Sequence, residues 1–287
     1  MAIDIRMKIQ EVSTEKTRPD GSIYRSLSYA QQAELAQSGE LSQRRIQLLA
    51  LEQGIVPECY ARNQKSLSNA DQIRLLQTRV AIVGLGGLGG TVTEILARIG
   101  IGQLRVIDGD RFDESNLNRQ LLSSIELLGR PKAEAAVRRV QAINPAVEAE
   151  AVVDFMVDDN AAQCLTGAAI AVDCLDSIAS RFVLERACHH LKIPLVSAAI
   201  AGTSGQATVI YPEDPGLSAI YGDPEKAADK GVEKSLGTLS FAAVALAAME
   251  CAEVVALATG RPAALRNKLL VTDISDHMAE IIELGKS

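Results

Sequence analysis

The sequence predicts an α/β protein built on a doubly wound, mostly parallel sheet, with a small helical appendage at the N-terminus. Apolar residues make up 47% of the 287 residues and aromatic residues only 3%. The core must therefore consist of Ala, Val, Ile and Leu, which is typical of parallel strands covered by helices. From residue 79 onward, short apolar runs alternate with segments of helical periodicity.

The first part of the chain lacks this alternation, so residues 1–58 are predicted to form the appendage and residues 59–287 the main domain. After a charged start and a turn at "RPDGS", two segments of helical periodicity cover 27–39 and 41–54. Each begins with a Leu-Ser pair and stops at glycine, which is typical of a serine N-cap and a glycine C-cap. The appendage is therefore expected to be helical.

The alternating elements of the main domain indicate a Rossmann-like core. The predicted strands lie near 79–84, 103–108, 147–153, 169–174 and 194–199, and the predicted helices near 88–99, 131–143, 158–166 and 179–191. A further strand is expected in "GQATVIYP", a long loop over Glu213–Gly237, a long buried helix over Thr238–Gly260, and two closing strands in the tail. A loop of that length in a compact domain is usually functional or mobile.

Four glycines in "RVAIVGLGGLGG" stand between the first predicted strand and the following helix. In this position backbone N–H groups and the helix N-terminus can hold phosphate. The next strand ends in a D-x-D pair, Asp108 and Asp110, where a carboxylate can bind ribose hydroxyls. NAD and ATP fit these features equally well, and the glycines could instead serve only close packing. The four are Gly84, Gly86, Gly87 and Gly89.

Polar residues in "DGDRFDESNLNRQLL" and "GRPKAEAA" favour ATP over NAD. A hydride-transfer enzyme only holds its pyrophosphate, whereas nucleotidyl transfer builds negative charge that cations must stabilise. Arg119 and Lys132 supply cations, and Asn116 and Gln120 supply polar groups, just after the ribose-binding strand. Alone, either cation would be an ordinary solvated surface charge, and Lys132 is expected to be exposed.

Two aspartates in "AVDCLDSIASR", Asp173 and Asp176, stand at the carboxyl end of a strand, the edge where open α/β sheets bind ligands. Because a carboxylate beside a polyphosphate needs an intervening cation, Asp176 is a candidate Mg²⁺ ligand. Alternatively, Asp176 only caps the following helix.

The motifs GxGGxG, D-x-D, N-x-x-R-Q, P-K and D-x-x-D, in this order, resemble the MoeB/ThiF/HesA branch of the ubiquitin-activating-enzyme superfamily. The resemblance runs from about Cys59 to the C-terminus. It implies an enzyme that uses ATP to adenylate the C-terminal Gly-Gly carboxylate of a small ubiquitin-like sulfur-carrier protein and releases pyrophosphate. It also implies that the segment 213–237 is a crossover loop.

The resemblance assigns roles to individual residues. Asp108 matches the ribose ligand, with Asp110 beside it in the nucleotide site. The phosphate-binding cations are Arg119 and Lys132, the neighbouring polar contacts are Asn116 and Gln120, and the Mg²⁺ ligand is Asp176.

One further residue is implied to act between protomers. The segment "ECYARNQ" resembles the R-Y-x-R-Q segment of the family, so that Arg62 would reach the triphosphate of the neighbouring protomer in a homodimer. Asn63 stands where glutamine is usual, and a surface arginine before a helix is the alternative for Arg62.

Cysteine usage departs from many relatives. The chain has no C-x-x-C pair, so no zinc is expected, and its crossover loop has no cysteine that could form a thioester. Cys251 lies in the predicted long helix and is expected to be buried. Adenylation is therefore the activity that we retain.

Charge and composition argue against other classes of partner. The net charge is −7 without a basic run, so nucleic acid is not expected as the main partner. The start has no signal-peptide core, and the longest apolar run, Phe241–Met249, is too short to span a bilayer. A cytoplasmic enzyme is expected. The remaining alternatives are adenylation of a peptide or a tRNA-linked carboxylate, an NAD-binding oxidoreductase, and a non-catalytic scaffold.

Overall fold

The computed structural model describes residues 5–224 and 236–284 of the chain. In this part the strands are β1 (Thr14–Thr17), β2 (Ile23–Leu27), β3 (Val56–Pro57), β4 (Arg79–Val83), β5 (Gln103–Ile107), β6 (Glu148–Val152), β7 (Ile170–Asp173), β8 (Leu195–Ala201), β9 (Ser204–Ile210), β10 (Lys268–Asp273) and β11 (Met278–Glu283). The α-helices are α1 (Ile5–Val12), α2 (Tyr29–Gly39), α3 (Gln43–Glu52), α4 (Asn69–Gln77), α5 (Gly87–Ile99), α6 (Lys132–Ile143), α7 (Ala161–Cys164), α8 (Ile178–Leu191), α9 (Ser218–Tyr221) and α10 (Ser240–Ala258).

Strands β4 to β11 form one sheet in the order β11-β10-β9-β8-β7-β4-β5-β6. The five strands β6, β5, β4, β7 and β8 are parallel, and β9 to β11 extend the sheet with antiparallel pairs. The predicted doubly wound, mostly parallel sheet is confirmed. Because the chain passes from β4 to β5 on one side and returns to β7 on the other, the strand order reverses beside β4. Ligands of such sheets bind outside the carboxyl ends of the strands at this position.

The two faces of the sheet carry separate cores of aliphatic side chains. One face packs against α5, α6 and α10 through residues such as Val80, Ile82 and Leu246. The other packs against α7 and α8 through residues such as Val83 and Leu184. The central strands are therefore buried on both sides, which explains their continuous apolar runs in the sequence.

Helix α10 is the long helix that the sequence predicts. Among the helices of the described residues, it alone is long and apolar enough to cross a membrane by length and composition, with a mean hydropathy of 1.9 over 18 residues. The helix continues beyond Phe241–Met249, the run that we considered too short, and its residues Glu250 and Glu253 are both buried. The helix packs on α5 and on strands β7, β8 and β9.

The N-terminal appendage contains more than the predicted helices. Helices α2 and α3 form as expected, and the side chains of Ser28 and Ser42 cap them. The charged start forms α1 and a hairpin of β1 and β2 around the "RPDGS" turn, which β3 joins to make a three-stranded sheet. The prediction of a helical appendage was therefore incomplete, because polar strands as short as β1 show little alternation in hydrophobicity.

Smaller differences concern helix ends and the predicted loop. Glu40, with φ of 51°, takes the left-handed C-cap position that we assigned to Gly39. The predicted helix at 158–166 is reduced to α7. The predicted loop over Glu213–Gly237 contains α9 in its first part, while residues 225–235 lie outside the described residues.

Candidate active site

The glycine turn between β4 and α5 lies at the switch point of the sheet. Two of its glycines are required by the fold. Gly84 has φ of +88°, and a Cβ atom there would lie 2.6 Å from the carbonyl oxygen of Cys174. A Cβ atom on Gly89 would overlap the carbonyl oxygen of Gly84. The turn is thus packed directly against the end of β7.

Of the other two glycines, only Gly86 borders open space. The nearest atom to a Cβ on Gly86 would be Nε2 of Gln120, 3.8 Å away. A Cβ on Gly87 would lie 3.2 Å from the Cβ of Ala243 and 3.4 Å from the carbonyl oxygen of Arg119, so this position is packed. Gln120 is buried, and its Oε1 atom has no hydrogen-bond partner within the described part of the chain. The buried amide group of Gln120 therefore lies beside Gly86.

Asp108 joins the glycine turn to the D-x-D turn. Its Oδ2 atom accepts a hydrogen bond of 2.6 Å from the backbone N–H of Leu85, and its Oδ1 atom accepts one of 2.7 Å from Asp110. The backbone N–H of Asp108 in turn donates to the carbonyl of Val152. The carboxylate therefore lies between two loops at the carboxyl edge of the sheet, where the sequence predicts it.

Lys132 is buried, contrary to our expectation of an exposed lysine. It follows Pro131 at the start of α6, and its side chain is only 7% exposed. Its Nζ atom donates a 3.0 Å hydrogen bond to Oδ2 of Asp110, and its backbone N–H donates to the carbonyl of the same residue. The P-K pair at a helix start predicts a surface lysine, but the D-x-D turn covers it.

Arg119 and Asn116 lie on the segment between β5 and α6. The guanidinium of Arg119 donates to the carbonyl of Ser115 and to Oδ1 of Asn118, at 2.9 and 2.8 Å, and its stem passes beside Gly87. Asn116 is buried, and its Oδ1 accepts from the backbone N–H of Asp113. Arg119 is therefore placed at the glycine turn, whereas Asn116 stabilises the segment that carries it.

Asp176 lies on the turn between β7 and α8 and is exposed. The alternative role that we considered, capping α8, is wrong, because the side chain of Ser177 caps this helix by accepting from Ser180. Among the described residues, Asp176 has no side-chain partner. Its neighbour in sequence, Asp173, is fully buried in an ion pair with Arg181 and is therefore unavailable to a metal.

Arg62 is not brought to this site within its own chain. It is exposed and adjoins Asn63, whose side chain contacts Gln72. Gln72 in turn donates to the carbonyl of Ile99, at the C-terminal end of α5. The glycine turn is at the opposite end of this 13-residue helix, which is about 20 Å long. The role of Arg62 in a neighbouring protomer remains a prediction.

Sequence reasoning missed Phe155, an exposed aromatic residue beside the D-x-D turn. Its side chain is 61% exposed, and its ring carbons lie 2.7–2.8 Å from the position that a Cβ atom on Gly109 would take, so the ring packs against the backbone of Gly109. Asn160 supports the loop by donating to the carbonyl of Phe155 and accepting from the N–H of Val157, both at 2.9 Å. The signal in the sequence was an isolated Phe directly after a strand, in a chain with only four.

Neither Cys174 nor Cys251 has a geometry that indicates catalysis. Cys174 and Cys251 are buried in the core, and burial raises the pKa of both thiols. Within 5–224 and 236–284, no group of three His, Cys, Asp or Glu side chains is placed to hold a metal ion.

Comparisons with known proteins agree with the motifs. The model of the ThiF family matches residues 60–287. The SAMP-activating enzyme E1 of Haloferax volcanii is 32% identical over 74% of this chain and 78% of its own length. The molybdopterin-synthase adenylyltransferase of Salmonella typhimurium is 38% identical over 53% of this chain and 63% of its own length.

A solved structure shares the fold. The crystal structure of E. coli MccB with ATP superposes with a TM-score of 0.68 over 80% of this chain and 72% of MccB, at 24% identity. The site described above, with its glycine turn, its buried lysine and its paired carboxylates, thus lies in a fold that occurs in at least one ATP complex.

Proposed function

The chain belongs to the ThiF family and is an adenylyltransferase, and from that premise we propose that it adenylates the C-terminal carboxylate of a small ubiquitin-like sulfur-carrier protein. The carrier would end in Gly-Gly, as the resemblance implies. The name of the Haloferax volcanii relative, a SAMP-activating enzyme E1, supports a small protein as the substrate.

The observation that carries this proposal is the burial of Lys132 beneath the D-x-D turn. Its partner Asp110 is largely exposed, and Asp110 is connected through Asp108 to the N–H of Leu85 in the turn. A buried ammonium with one solvated partner is incompletely neutralised, and a triphosphate would complete the neutralisation. An NAD-binding oxidoreductase has no need of such a cation, and family membership argues against both this alternative and a scaffold.

ATP fits the residues that surround the turn. The open space at Gly86 would admit phosphate oxygens to the backbone N–H groups at the start of α5, with Arg119 beside them. Asp108 would exchange one of its backbone partners for a ribose hydroxyl. Phe155 would stack on the adenine ring, because its supported ring adjoins the ribose carboxylate and faces solvent.

Mg²⁺ fits the exposed carboxylate of Asp176, which is a hard oxygen ligand without another partner in the described chain. Mg²⁺ commonly binds through one or two carboxylates together with substrate phosphates and water, so a single aspartate is sufficient on the protein side. The ion would neutralise charge on the triphosphate when bound.

The reaction that this arrangement supports is nucleophilic substitution at the α-phosphorus. A carboxylate oxygen of the carrier attacks this atom, the bond to the bridging oxygen of the β-phosphate breaks, and pyrophosphate leaves with the electron pair. Lys132 and Arg119 would stabilise the charge that develops on the phosphate oxygens. In a homodimer, Arg62 of one protomer would add a third cation to the site of the other.

The test is ATP–pyrophosphate exchange with defined acceptors. We expect exchange with a carrier that ends in a free Gly-Gly carboxylate and none with the same carrier amidated at its C-terminus. Exchange with a short peptide or a tRNA-linked carboxylate but not with the carrier would favour the alternative substrates. Binding of NAD without binding of ATP would refute the proposal altogether.

A further inference from the structure

We propose that Arg181 is a positioning residue that holds the turn carrying Asp176 and thereby sets the affinity of the site for its divalent cation. This inference rests on the proposed role of Asp176 as a metal ligand. Arg181 itself is buried in α8 and would touch neither the nucleotide nor the metal. Its role follows from the atoms to which it is bonded.

Both backbone polar groups of Leu175 form hydrogen bonds with the same buried ion pair, Asp173 and Arg181. The carbonyl of Leu175, which forms the peptide bond with Asp176, accepts from Nη2 of Arg181. The N–H of Leu175 donates a 3.0 Å hydrogen bond to Oδ1 of Asp173. Since Arg181 and Asp173 are themselves paired at 2.7 Å, the residue before Asp176 is held from both sides.

This ion pair also forms hydrogen bonds with the neighbouring strand β8. Nη1 of Arg181 donates to the carbonyl of Ala198 at 2.7 Å, and the hydroxyl of Ser197 donates to Oδ2 of Asp173 at 2.7 Å. The planar guanidinium therefore connects α8, β7, β8 and the turn through one side chain. A lysine has a single donor group and cannot span these directions at once.

The ion pair of Asp173 and Arg181 is removed from solvent. Asp173 is fully buried and the side chain of Arg181 is 5% exposed. The desolvation penalty of such a pair often equals or exceeds the attraction between the charges, so added stability is a weak explanation. The pair does restrict the turn to one conformation, with Gly84 packed on its other side and Asp176 left exposed. Residues that orient a metal ligand in this way typically change metal affinity by about 10- to 100-fold when they are replaced.

The experiment measures metal binding directly. Mn²⁺ replaces Mg²⁺, and its binding to the full chain is followed by electron paramagnetic resonance in the presence of a non-hydrolysable ATP analogue. We compare the wild type with Arg181→Lys, Asp176→Asn and the double variant. Arg186→Lys is the matched control, because Arg186 lies on the same helix but is paired on the surface with Asp158.

We expect Arg181→Lys to weaken Mn²⁺ binding about tenfold and Arg186→Lys to leave it unchanged. In the Asp176→Asn background, Arg181→Lys should cause no further loss, because it acts through Asp176. An equal loss in both backgrounds would show a general structural effect and overturn the inference. So would unchanged Mn²⁺ binding in Arg181→Lys.

A second variant covers failure of Arg181→Lys to fold. Ser197→Ala removes one hydrogen bond from Asp173 but keeps the ion pair, and it should weaken Mn²⁺ binding in the same direction by a few-fold, again only when Asp176 is present. If Asp176→Asn itself leaves Mn²⁺ binding unchanged, the proposed metal ligand is wrong and this inference falls with it. If Asp176→Asn weakens binding and neither Arg181→Lys nor Ser197→Ala does, only the inference falls.

Discussion

The Nζ atom of Lys132 lies 3.0 Å from Oδ2 of Asp110, and the two side chains differ sharply in exposure, at 7% and 55%. The carboxylate is therefore in contact with water, whereas the side chain of Lys132 is almost completely shielded from it. A ligand that carries negative charge can therefore displace the carboxylate from the ammonium. The ammonium of Lys132 would then keep its position, while the carboxylate of Asp110 would be exchanged for the ligand.

Replacement of this lysine should separate catalysis from folding. Lys132→Met keeps most of the buried stem and removes the charge, so we expect a folded protein whose rate of ATP–pyrophosphate exchange falls by about two to three orders of magnitude. Exchange is measured with saturating carrier, and folding is measured by urea denaturation.

Lys65→Met is the control for this prediction, because Lys65 is an exposed lysine paired with an exposed aspartate, Asp20. It should change neither property measurably. Near-normal exchange in Lys132→Met would show that the buried lysine does not serve the reaction.

Removal of the aromatic ring at Phe155 should weaken nucleotide binding. Stacking of a base on an aromatic side chain contributes about 1–3 kcal/mol, so Phe155→Ala should raise the dissociation constant of ATP by about 5- to 150-fold. Phe155→Trp should retain most of the affinity. Binding of tripolyphosphate, which has no base, should be equal in all three proteins.

Val157→Ala is the matched control for the loop, since Val157 is also an exposed apolar residue supported by Asn160. Equal loss of tripolyphosphate and ATP binding in Phe155→Ala would mean that the ring supports the loop and does not contact the base.

The sequence predicts the sheet and most of the site because both depend on local patterns. Apolar runs identify the strands, and the spacing of the glycines and carboxylates places Asp108 and Asp176 at one edge of the sheet. Burial of Lys132 was not predictable, because the cover is the D-x-D turn, 22 residues earlier in the chain. The pairing of Asp173 with Arg181 likewise depends on how α8 packs against β7, which no local pattern encodes.

The glycine turn offers a comparison of two substitutions with different outcomes. At Gly86 the nearest atom to an added Cβ, Nε2 of Gln120, would be 3.8 Å away, so that the Cβ would project into open space. Gly86→Ala should therefore fold and bind ATP at least about tenfold more weakly, because backbone approach to the phosphates is blocked. Gly84→Ala should fail to fold stably, since φ is +88° and the Cβ would press on the carbonyl of Cys174.

Far-ultraviolet circular dichroism and equilibrium ATP binding distinguish these outcomes. Full ATP affinity in Gly86→Ala would place the phosphates elsewhere.

The distance of Arg62 from the site of its own chain allows a test of the proposed homodimer. Arg62→Ala and Lys132→Met should each be inactive alone. After mixing under conditions that allow subunit exchange, hybrid dimers should contain one intact site, in which Lys132 comes from one protomer and Arg62 from the other. Random pairing predicts recovery of about a quarter of wild-type exchange activity.

Absence of recovery in dimers shown by mass spectrometry to be hybrid would exclude action of Arg62 between protomers. A monomer at micromolar concentration in sedimentation experiments would exclude the composite site itself.

Glu250 on α10 has a fully buried carboxyl group. Its Oε1 atom has no hydrogen-bond partner in the described residues. Burial, and then the charge of Asp173, raise its pKa well above the ordinary value near 4.5. The folded state therefore keeps a proton that the unfolded state releases, so the free energy of unfolding falls as pH rises above about 4.5 until the folded-state pKa is reached. Glu250→Gln removes this group, and its stability relative to the wild type should increase with pH by up to about 1.4 kcal/mol per unit. Urea denaturation between pH 5 and pH 8 measures this difference in stability. Glu126→Gln, which changes an exposed glutamate, is the control. Parallel pH profiles of stability for Glu250→Gln and the wild type would contradict a protonated Glu250.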